Sequence, residues 1–288
     1  KDTGNCNTDA TKFRNSIGTK GASYGAAYYP YIKSVYDREI NVYDIYKGLE
    51  LSNQELENAQ YYAEVSEPPE ERTLFAKQLM SKPKYAKLVA KIQEQANLLP
   101  PSGAIAGIYC ANDNQRGVWH APANMSVSGI SDINVRISDK QQGELNENTS
   151  GKCINAIRAF QGKGILVWGA RTLDGLSSEW KYISVRRFFN YVEESIQEST
   201  AWAVFQPNDA NTWVKVRCQI ENFLSNLWRD GALAGSTPQE AFYVRVGINQ
   251  TMTAQDILNG YMIVEIGMAA VRPAEFIVLQ FSHKLQES

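Results

Sequence analysis

The sequence predicts an α/β to α+β fold in which helices flank a mixed sheet. From about Gly117 onward, short apolar runs of strand length alternate with segments whose apolar residues recur at helical spacing. The composition is that of a globular protein, because 43% of the 288 residues are hydrophobic and 21% are charged. The longest apolar runs fall well short of the ~20 residues that a spanning helix needs. Direct membrane insertion is therefore not expected.

The chain is long enough for about two domains at roughly 150 residues each. We place the main boundary at the Pro100-Pro101-Ser102-Gly103 stretch, so that residues 1–101 form one unit and residues 102–288 the other. Within the first unit, residues 48–101 are rich in Glu, Gln, Lys and Ala, which predicts a helical, insert-like region with a helix from Pro83 to Leu99. The chain opens at Lys1 without an initiator methionine, and we expect it to be the C-terminal portion of a longer product.

The second unit is predicted to alternate strands with helices. Its two helices are amphipathic, and the second is expected to be capped by Asn211 or Thr212 and followed by Gly231. The predicted helices span residues 182–198 and 213–230. The predicted strands span residues 104–110, 164–168, 201–205, 241–246, 261–266 and 275–282.

The last of these strands differs from the others. Its run Phe276-Ile277-Val278-Leu279 is apolar on both faces, although only six residues follow Ser282. A strand that is buried on both faces must insert between other strands or lie under another chain. It therefore either docks in its own sheet or pairs with a neighbouring subunit by β-augmentation. Pro273 before it predicts a stiff, extended entry.

Charge and histidine content limit the chemistry that is expected. The 29 basic and 31 acidic residues give a net charge of −2, so no bulk positive field favours nucleic acid. His120 and His283 are the only histidines, and the sequence offers no nucleophile, metal or phosphate-binding motif. We predict no catalytic residue, no cofactor and no metal site.

Several polar and thiol groups are expected to have structural roles. The Arg186-Arg187 pair is predicted to be neutralised by Glu193 and Glu194 on its own helix. Arg171 is expected to pair with Asp174 or Glu179 after a turn at Gly169. The cysteines are predicted to be buried free thiols in a reducing compartment; they are Cys6, Cys110, Cys153 and Cys218.

Several segments together resemble the tail sheath proteins of contractile phages and related contractile injection systems. The segments are GVWHAPAN (117–124), CINAIRAFQGKGILVWGARTL (153–173), EWKYISVRRFFNYVEESI (179–196), WAVFQPND (202–209), TWVKVRCQIENFLSNLWRDGALAGSTPQEAFYVRVG (212–247) and RPAEFIVLQF (272–281). Their order and spacing extend over nearly all of residues 102–286. Residues 13–35 look more like sheath subunits of extracellular, phage-tail-like injection particles. His120 stands where many family members carry lysine.

The resemblance implies a structural subunit that polymerises as stacked hexameric rings around an inner tube and contracts to drive the tube through a target envelope. Residues 1–101 would be part of a middle sheath domain, and residues 102–288 a tube-proximal C-terminal domain that ends in a C-terminal arm, residues 272–288. The residues of this arm expected to pair between subunits are Pro273, Glu275, Phe276, Ile277, Val278, Leu279, Gln280 and Phe281. The residues expected to face the tube are Lys215, Arg217, Glu221 and Arg229.

The implied partners are identical sheath subunits, the inner tube protein, and baseplate and terminator proteins. Assembly is expected in the bacterial cytoplasm, as a component of a phage tail, an extracellular contractile particle or a type VI secretion-like system. Two other functions stay open at this point. One is an α/β enzyme whose site is completed by N-terminal sequence that is missing here, and the other is a non-contractile tail or baseplate structural protein.

Overall fold

The computed structural model describes residues 4–38, 40, 81–146 and 150–276. In chain order, the helices are α1 (Cys6–Ser16), α2 (Pro83–Ala96), α3 (Ser102–Arg116), α4 (Asp139–Asn146), α5 (Ile183–Ser199), α6 (Ala210–Arg229), α7 (Pro238–Ala241) and α8 (Ala254–Leu258). The strands are β1 (Tyr28–Tyr29), β2 (Ile32–Ser34), β3 (Leu98–Leu99), β4 (Met125–Ser126), β5 (Ile130–Ile133), β6 (Asn155–Phe160), β7 (Gly164–Trp168), β8 (Phe242–Val246) and β9 (Val264–Met268).

The strands form three sheets within the described residues. The largest has the order β1-β6-β7-β4; β1 runs parallel to β6, and the other pairs are antiparallel. A second sheet has the order β3-β2-β5, and β8 pairs with β9 in a two-stranded antiparallel sheet. The predicted mixed sheet with flanking helices is therefore confirmed. The domain boundary near residue 101 stays a prediction, although β1 and β2 pair with strands that follow it.

The two long helices and the β8-β9 sheet share one hydrophobic core. The buried face of α6 consists of Val216, Ile220, Leu224 and Leu227, which pack with Phe188 and Val192 of α5 and Val244 of β8. The α5 and α6 residues in this core recur at helical spacing, as expected for amphipathic helices. The N-cap differs from the prediction: Asp209 Oδ1 accepts the Thr212 backbone N–H at 2.9 Å, so neither Asn211 nor Thr212 is the cap.

Two predicted strands are wrong. The apolar run from Ala104 to Cys110 lies inside helix α3, which buries Ile105 and Ile108 on one face. Residues 201–205 contain a 3-10 turn (Ala201–Ala203), and the side chain of Phe205 is fully exposed at 101%. Apolar runs of five to seven residues do not by themselves distinguish a strand from a buried turn of helix.

The other strand predictions have mixed outcomes. Strand β7 matches the predicted residues, and β8 and β9 lie within three residues of their predicted bounds. For the predicted strand 275–282, Glu275 and Phe276 are described and are not in a strand, while residues 277–282 lie outside the described residues. Among the described helices, none is both long enough and apolar enough to cross a lipid bilayer.

Candidate functional site

The segment that follows β9 runs from the core of α5, α6 and β8 to a cleft. Beside the core of α5, α6 and β8, Ala270 forms a β-bridge with Leu233, and the Val271 N–H donates to the Ala232 carbonyl at 3.2 Å. Residues 271–276 then line a cleft of about 1020 Å³. The opposite walls of the cleft are residues 119–124, helix α4 and the end of β7. The C-terminal arm therefore begins at this cleft.

An ion pair holds the beginning of the arm. The Arg171 side chain, only 2% exposed, donates from Nε to Glu275 Oε1 and from Nη2 to Glu275 Oε2, both at 2.7 Å. The Glu275 side chain is 22% exposed, and its Oε2 also accepts from the Tyr182 hydroxyl at 3.3 Å. Two parallel N–H···O bonds fix both the separation and the orientation of the two groups. We refer to Arg171 and Glu275 as the arm clamp.

The main chain of Arg171 is itself held rigidly. The fully buried Asn155 accepts from the Arg171 N–H at 2.7 Å and donates to the Arg171 carbonyl at 2.8 Å. Asn155 also donates to the Ala27 carbonyl at 3.0 Å, next to strand β1. Gly169 allows this close approach, because a Cβ atom there would lie 2.8 Å from Asn155 Oδ1 and 3.1 Å from Asn155 Cα. Through Asn155, the first residue of β6, the arm clamp is therefore connected to the largest sheet.

Electrostatics favour the charged form of Arg171. Burial alone would lower the pKa of its guanidinium, but the hydrogen bonds and ion pair with Glu275 outweigh burial, and the pKa lies above its ordinary value. Burial, followed by the neighbouring Glu275 carboxylate, raises the pKa of the Tyr182 hydroxyl. The predicted partners of Arg171 were wrong: Glu275, 104 residues away, takes the place of Asp174 or Glu179.

A second bidentate ion pair joins helix α5 to helix α3. Arg187 on α5 donates to both carboxylate oxygens of Asp113 on α3, at 2.8 and 2.6 Å. Arg186 stacks on Trp180, with its guanidinium carbon 3.4 Å from the ring centroid. The predicted neutralisation of this arginine pair by Glu193 and Glu194 is therefore wrong, because tertiary partners are available to both arginines.

The residues predicted to face an inner tube lie outside the buried face of α6. Lys215 and Arg229 are exposed, and the side chains of Arg217 and Glu221 are about 40% exposed and 3.9 Å apart (41% and 43%). The position of these residues on α6 does not test whether they contact an inner tube. Of the predicted inter-subunit residues, Pro273, Glu275 and Phe276 are described; Ile277, Val278, Leu279, Gln280 and Phe281 lie outside the described residues.

The remaining candidate groups are dispersed. His120 is exposed at the cleft, whereas His283 lies outside the described residues. All four cysteines are free, but only Cys6 and Cys153 are buried, so the prediction of burial is wrong for Cys110 and Cys218. In residues 4–38, 40, 81–146 and 150–276, no three His, Cys, Asp or Glu side chains converge as metal ligands.

Comparison with known proteins gives a consistent set of matches. Residues 177–284 match the family model of the phage tail sheath C-terminal domain. The chain is 23% identical over 192 residues to the tail sheath protein of Vibrio phage KVP40; the match covers 66% of this chain and 27% of that protein.

Two solved structures are more similar in sequence. One is the PVC sheath complex of an extracellular contractile injection system in the contracted state, at 46% identity and a TM-score of 0.62, covering 66% of this chain and 52% of that chain. The other is the baseplate of the anti-feeding prophage, at 49% identity and a TM-score of 0.61, covering 65% of this chain and 51% of that chain. This chain thus spans about half the length of the solved relatives and about a quarter of the phage protein.

Proposed function

We propose that the chain is part of a contractile sheath subunit, on the premise that residues 177–284 match the family model of the phage tail sheath C-terminal domain. Such subunits polymerise as stacked hexameric rings around an inner tube, and their contraction drives the tube through a target envelope. The observation that carries this proposal is the 46% identity with a contractile injection system sheath over 66% of the chain. The particle would be a phage tail or an extracellular contractile particle, assembled in the bacterial cytoplasm.

The proposed action is mechanical rather than enzymatic. A filament needs an interface that does not close on itself, and a subunit that passes a strand to the next copy provides one. Contraction is then a rigid-body rotation of subunits about extended connections. The energy released is the difference between two packings, and the extended packing is trapped kinetically.

The C-terminal arm is the proposed connection between copies. Its residues Glu275 to Phe281 would add to a sheet of a neighbouring subunit. Support comes from two features of the described residues: β8 and β9 form a sheet of only two strands, which leaves edges for further strands, and the Phe276 side chain is 70% exposed. An apolar side chain at the start of a strand loses this exposure when the strand pairs in a neighbouring copy.

The exposed face of α6 is the proposed contact with the inner tube. Its charged residues Lys215, Arg217, Glu221 and Arg229 would make polar, hydrated contacts that can be released as the tube slides. A large apolar interface would resist such sliding. Baseplate and terminator proteins are further proposed partners at the two ends of the sheath.

Electron microscopy of the full gene product tests this function. We would co-express it with the tube gene that neighbours it and image the lysate by negative stain. Hollow, cog-shaped cylinders of two lengths are expected, because a contractile sheath has an extended and a contracted state. Cylinders of a single length would instead support a static tail or baseplate component. Dispersed subunits with measurable turnover in an activity screen would support an enzyme.

A truncated product provides the matched comparison. Removal of residues 277–288 should abolish the cylinders while the subunit keeps the circular dichroism spectrum of the wild type, since those residues contribute strands to other copies. Cylinders that form normally without these residues would contradict the role proposed for the arm.

A further inference from the structure

We propose that Arg171 and Glu275 are positioning residues that fix where, and in which direction, the C-terminal arm leaves the subunit body. This inference rests on the proposed function, because the direction of the arm matters only if the arm reaches another copy. The arm clamp lies at the start of the segment Glu275 to Phe281, which is proposed to pair between subunits. The point at which the C-terminal arm leaves each subunit helps to set how neighbouring subunits are arranged in the sheath.

The position of the clamp along the chain is the first argument. The last backbone contacts that hold this segment to the α5-α6 core are at Ala270 and Val271. From there the chain crosses to Arg171, which lies three residues after the end of β7 in the largest sheet. Without the clamp, the nearest backbone bond between this segment and the body would be that of Val271, and the start of the arm could change direction over the cleft. The clamp moves the fixed point four residues along the chain.

The difference in burial between the two partners is the second argument. Arg171 is 2% exposed, and Asn155 holds its main chain at both polar atoms, so its guanidinium is a fixed point of the body. The Glu275 side chain is more exposed and lies on the segment that is being held. A planar fork of two hydrogen bonds constrains rotation as well as distance, which a single contact does not.

The neighbouring contacts are too weak to replace this pair. Lys181 Nζ lies 3.8 Å from Glu275 Oε2, and the Tyr182 hydroxyl donates to the same oxygen at 3.3 Å. Pro273 restricts the backbone torsion φ two residues earlier, but a single fixed torsion does not join the segment to the body. Phe276, the next residue along the chain, is 70% exposed. Glu275 therefore carries the strongest side-chain contact between the start of the arm and the body.

The test compares Glu275→Gln with a matched variant, Asp113→Asn, in the full gene product. Each substitution replaces a carboxylate that is held by a bidentate arginine, but Asp113 lies far along the chain from the arm. Hydrogen exchange of unassembled subunits, followed by mass spectrometry, would be measured on the peptide that contains residues 271–276. The yield of sheath would be measured by sedimentation and electron microscopy.

Glu275→Gln should speed exchange of the Val271 N–H, the amide of this peptide that donates to a backbone carbonyl, by about tenfold or more, because loss of the bond to a charged partner makes local opening of the segment easier. It should also lower the sheath yield, whereas Asp113→Asn should change neither quantity. Arg171→Lys keeps the charge but makes only one contact, and it should give an intermediate result in both measurements.

The outcomes separate this inference from the proposed function. Unchanged exchange in Glu275→Gln, or an equal effect of Asp113→Asn on the same peptide, would overturn the positioning role whatever the sheath yield. Global unfolding of Glu275→Gln by circular dichroism would also overturn it, because the pair would then be a general stabiliser of the fold. If wild-type product forms no sheath, the proposed function fails, while the exchange data still report on the clamp.

Discussion

Tyr28 and Tyr109 join strand β1 to helix α3 through a hydrogen bond of 2.9 Å between their hydroxyl groups. The guanidinium of Arg187 lies over the Tyr109 ring, 4.7 Å from its centroid. Burial, and then the neighbouring Tyr109, raise the pKa of the Tyr28 hydroxyl well above its ordinary value. Burial also raises the pKa of Tyr109. Both phenols therefore hold their protons more tightly in the folded protein than in the unfolded chain.

This pair predicts a loss of stability in alkali. Below a pH of about 10, both states keep the phenolic protons and the contribution is complete; above it, the unfolded chain loses protons that the folded protein retains, and stability falls. Each group contributes a slope of at most about 1.4 kcal/mol per pH unit. Denaturant unfolding between pH 8 and 11 measures the slope.

Two variants check the origin of that slope. Tyr28→Phe should make the alkaline slope smaller by removing one of the two groups. Ile105→Val, in the hydrophobic cluster against which Tyr28 packs, should lower stability by about 1 kcal/mol at every pH and leave the slope unchanged. A slope that is identical in wild type and Tyr28→Phe would contradict this assignment.

Replacement of Asn155 by alanine should destabilise the subunit by about 2 to 4 kcal/mol. The substitution leaves the buried N–H and carbonyl of Arg171 without their bonds to the Asn155 side chain. The Ala27 carbonyl loses the side-chain bond but keeps the Asn155 backbone N–H, which donates to it at 2.8 Å. Asn226→Ala on the exposed side of α6 is the control and should cost less than about 0.5 kcal/mol. A similar shift in both denaturation midpoints would show that Asn155 has no special role.

Reversal of the charges at Lys215 and Arg217 should separate sheath from tube without unfolding the subunit. Neither side chain belongs to the buried face of α6, and reversed charges place like against like at a polar interface. We expect Lys215→Glu with Arg217→Glu to lower co-sedimentation with the tube protein by about tenfold. The control pair Lys140→Glu with Lys163→Glu alters exposed residues outside α6 and should leave co-sedimentation with the tube protein unchanged. Normal co-assembly of the first pair would refute the proposed tube contact.

Pro273→Gly should loosen the entry to the arm. Glycine frees the backbone torsion φ that proline fixes. The more flexible arm loses more conformational entropy when it pairs, at a cost of about 1 kcal/mol in free energy. The sheath yield should fall, and the melting temperature of the unassembled subunit should change little. Pro207→Gly, at the turn before α6, makes the same exchange away from the arm. If both variants assemble equally well, stiffness at residue 273 does not matter for assembly.

The sequence predicts the long helices better than it predicts contacts between distant residues. The apolar residues of α5 and α6 recur at helical spacing over four or more turns, so Phe188 and Leu224 are placed in the core without knowledge of the fold. The run at 104–110 is too short for that test, and its position inside α3 depends on packing of Ile105 and Ile108.

The arm clamp could not be predicted for a different reason. Arg171 has two carboxylates within eight residues along the chain, and local pairing is the reasonable expectation. Its partner Glu275 is 104 residues away and reaches it only because β9 carries the following segment to the cleft. The cap of α6 could have been found, since aspartate at residue 209 precedes the helix and is a preferred N-cap residue.

A density map of the assembled full-length product tests the central claim most directly, since it traces residues 272–281 in every subunit of the particle. We predict that this segment stays clamped at Glu275, leaves its own subunit and pairs as a strand with a neighbouring copy. A segment that folds back into a sheet of its own subunit would contradict the account.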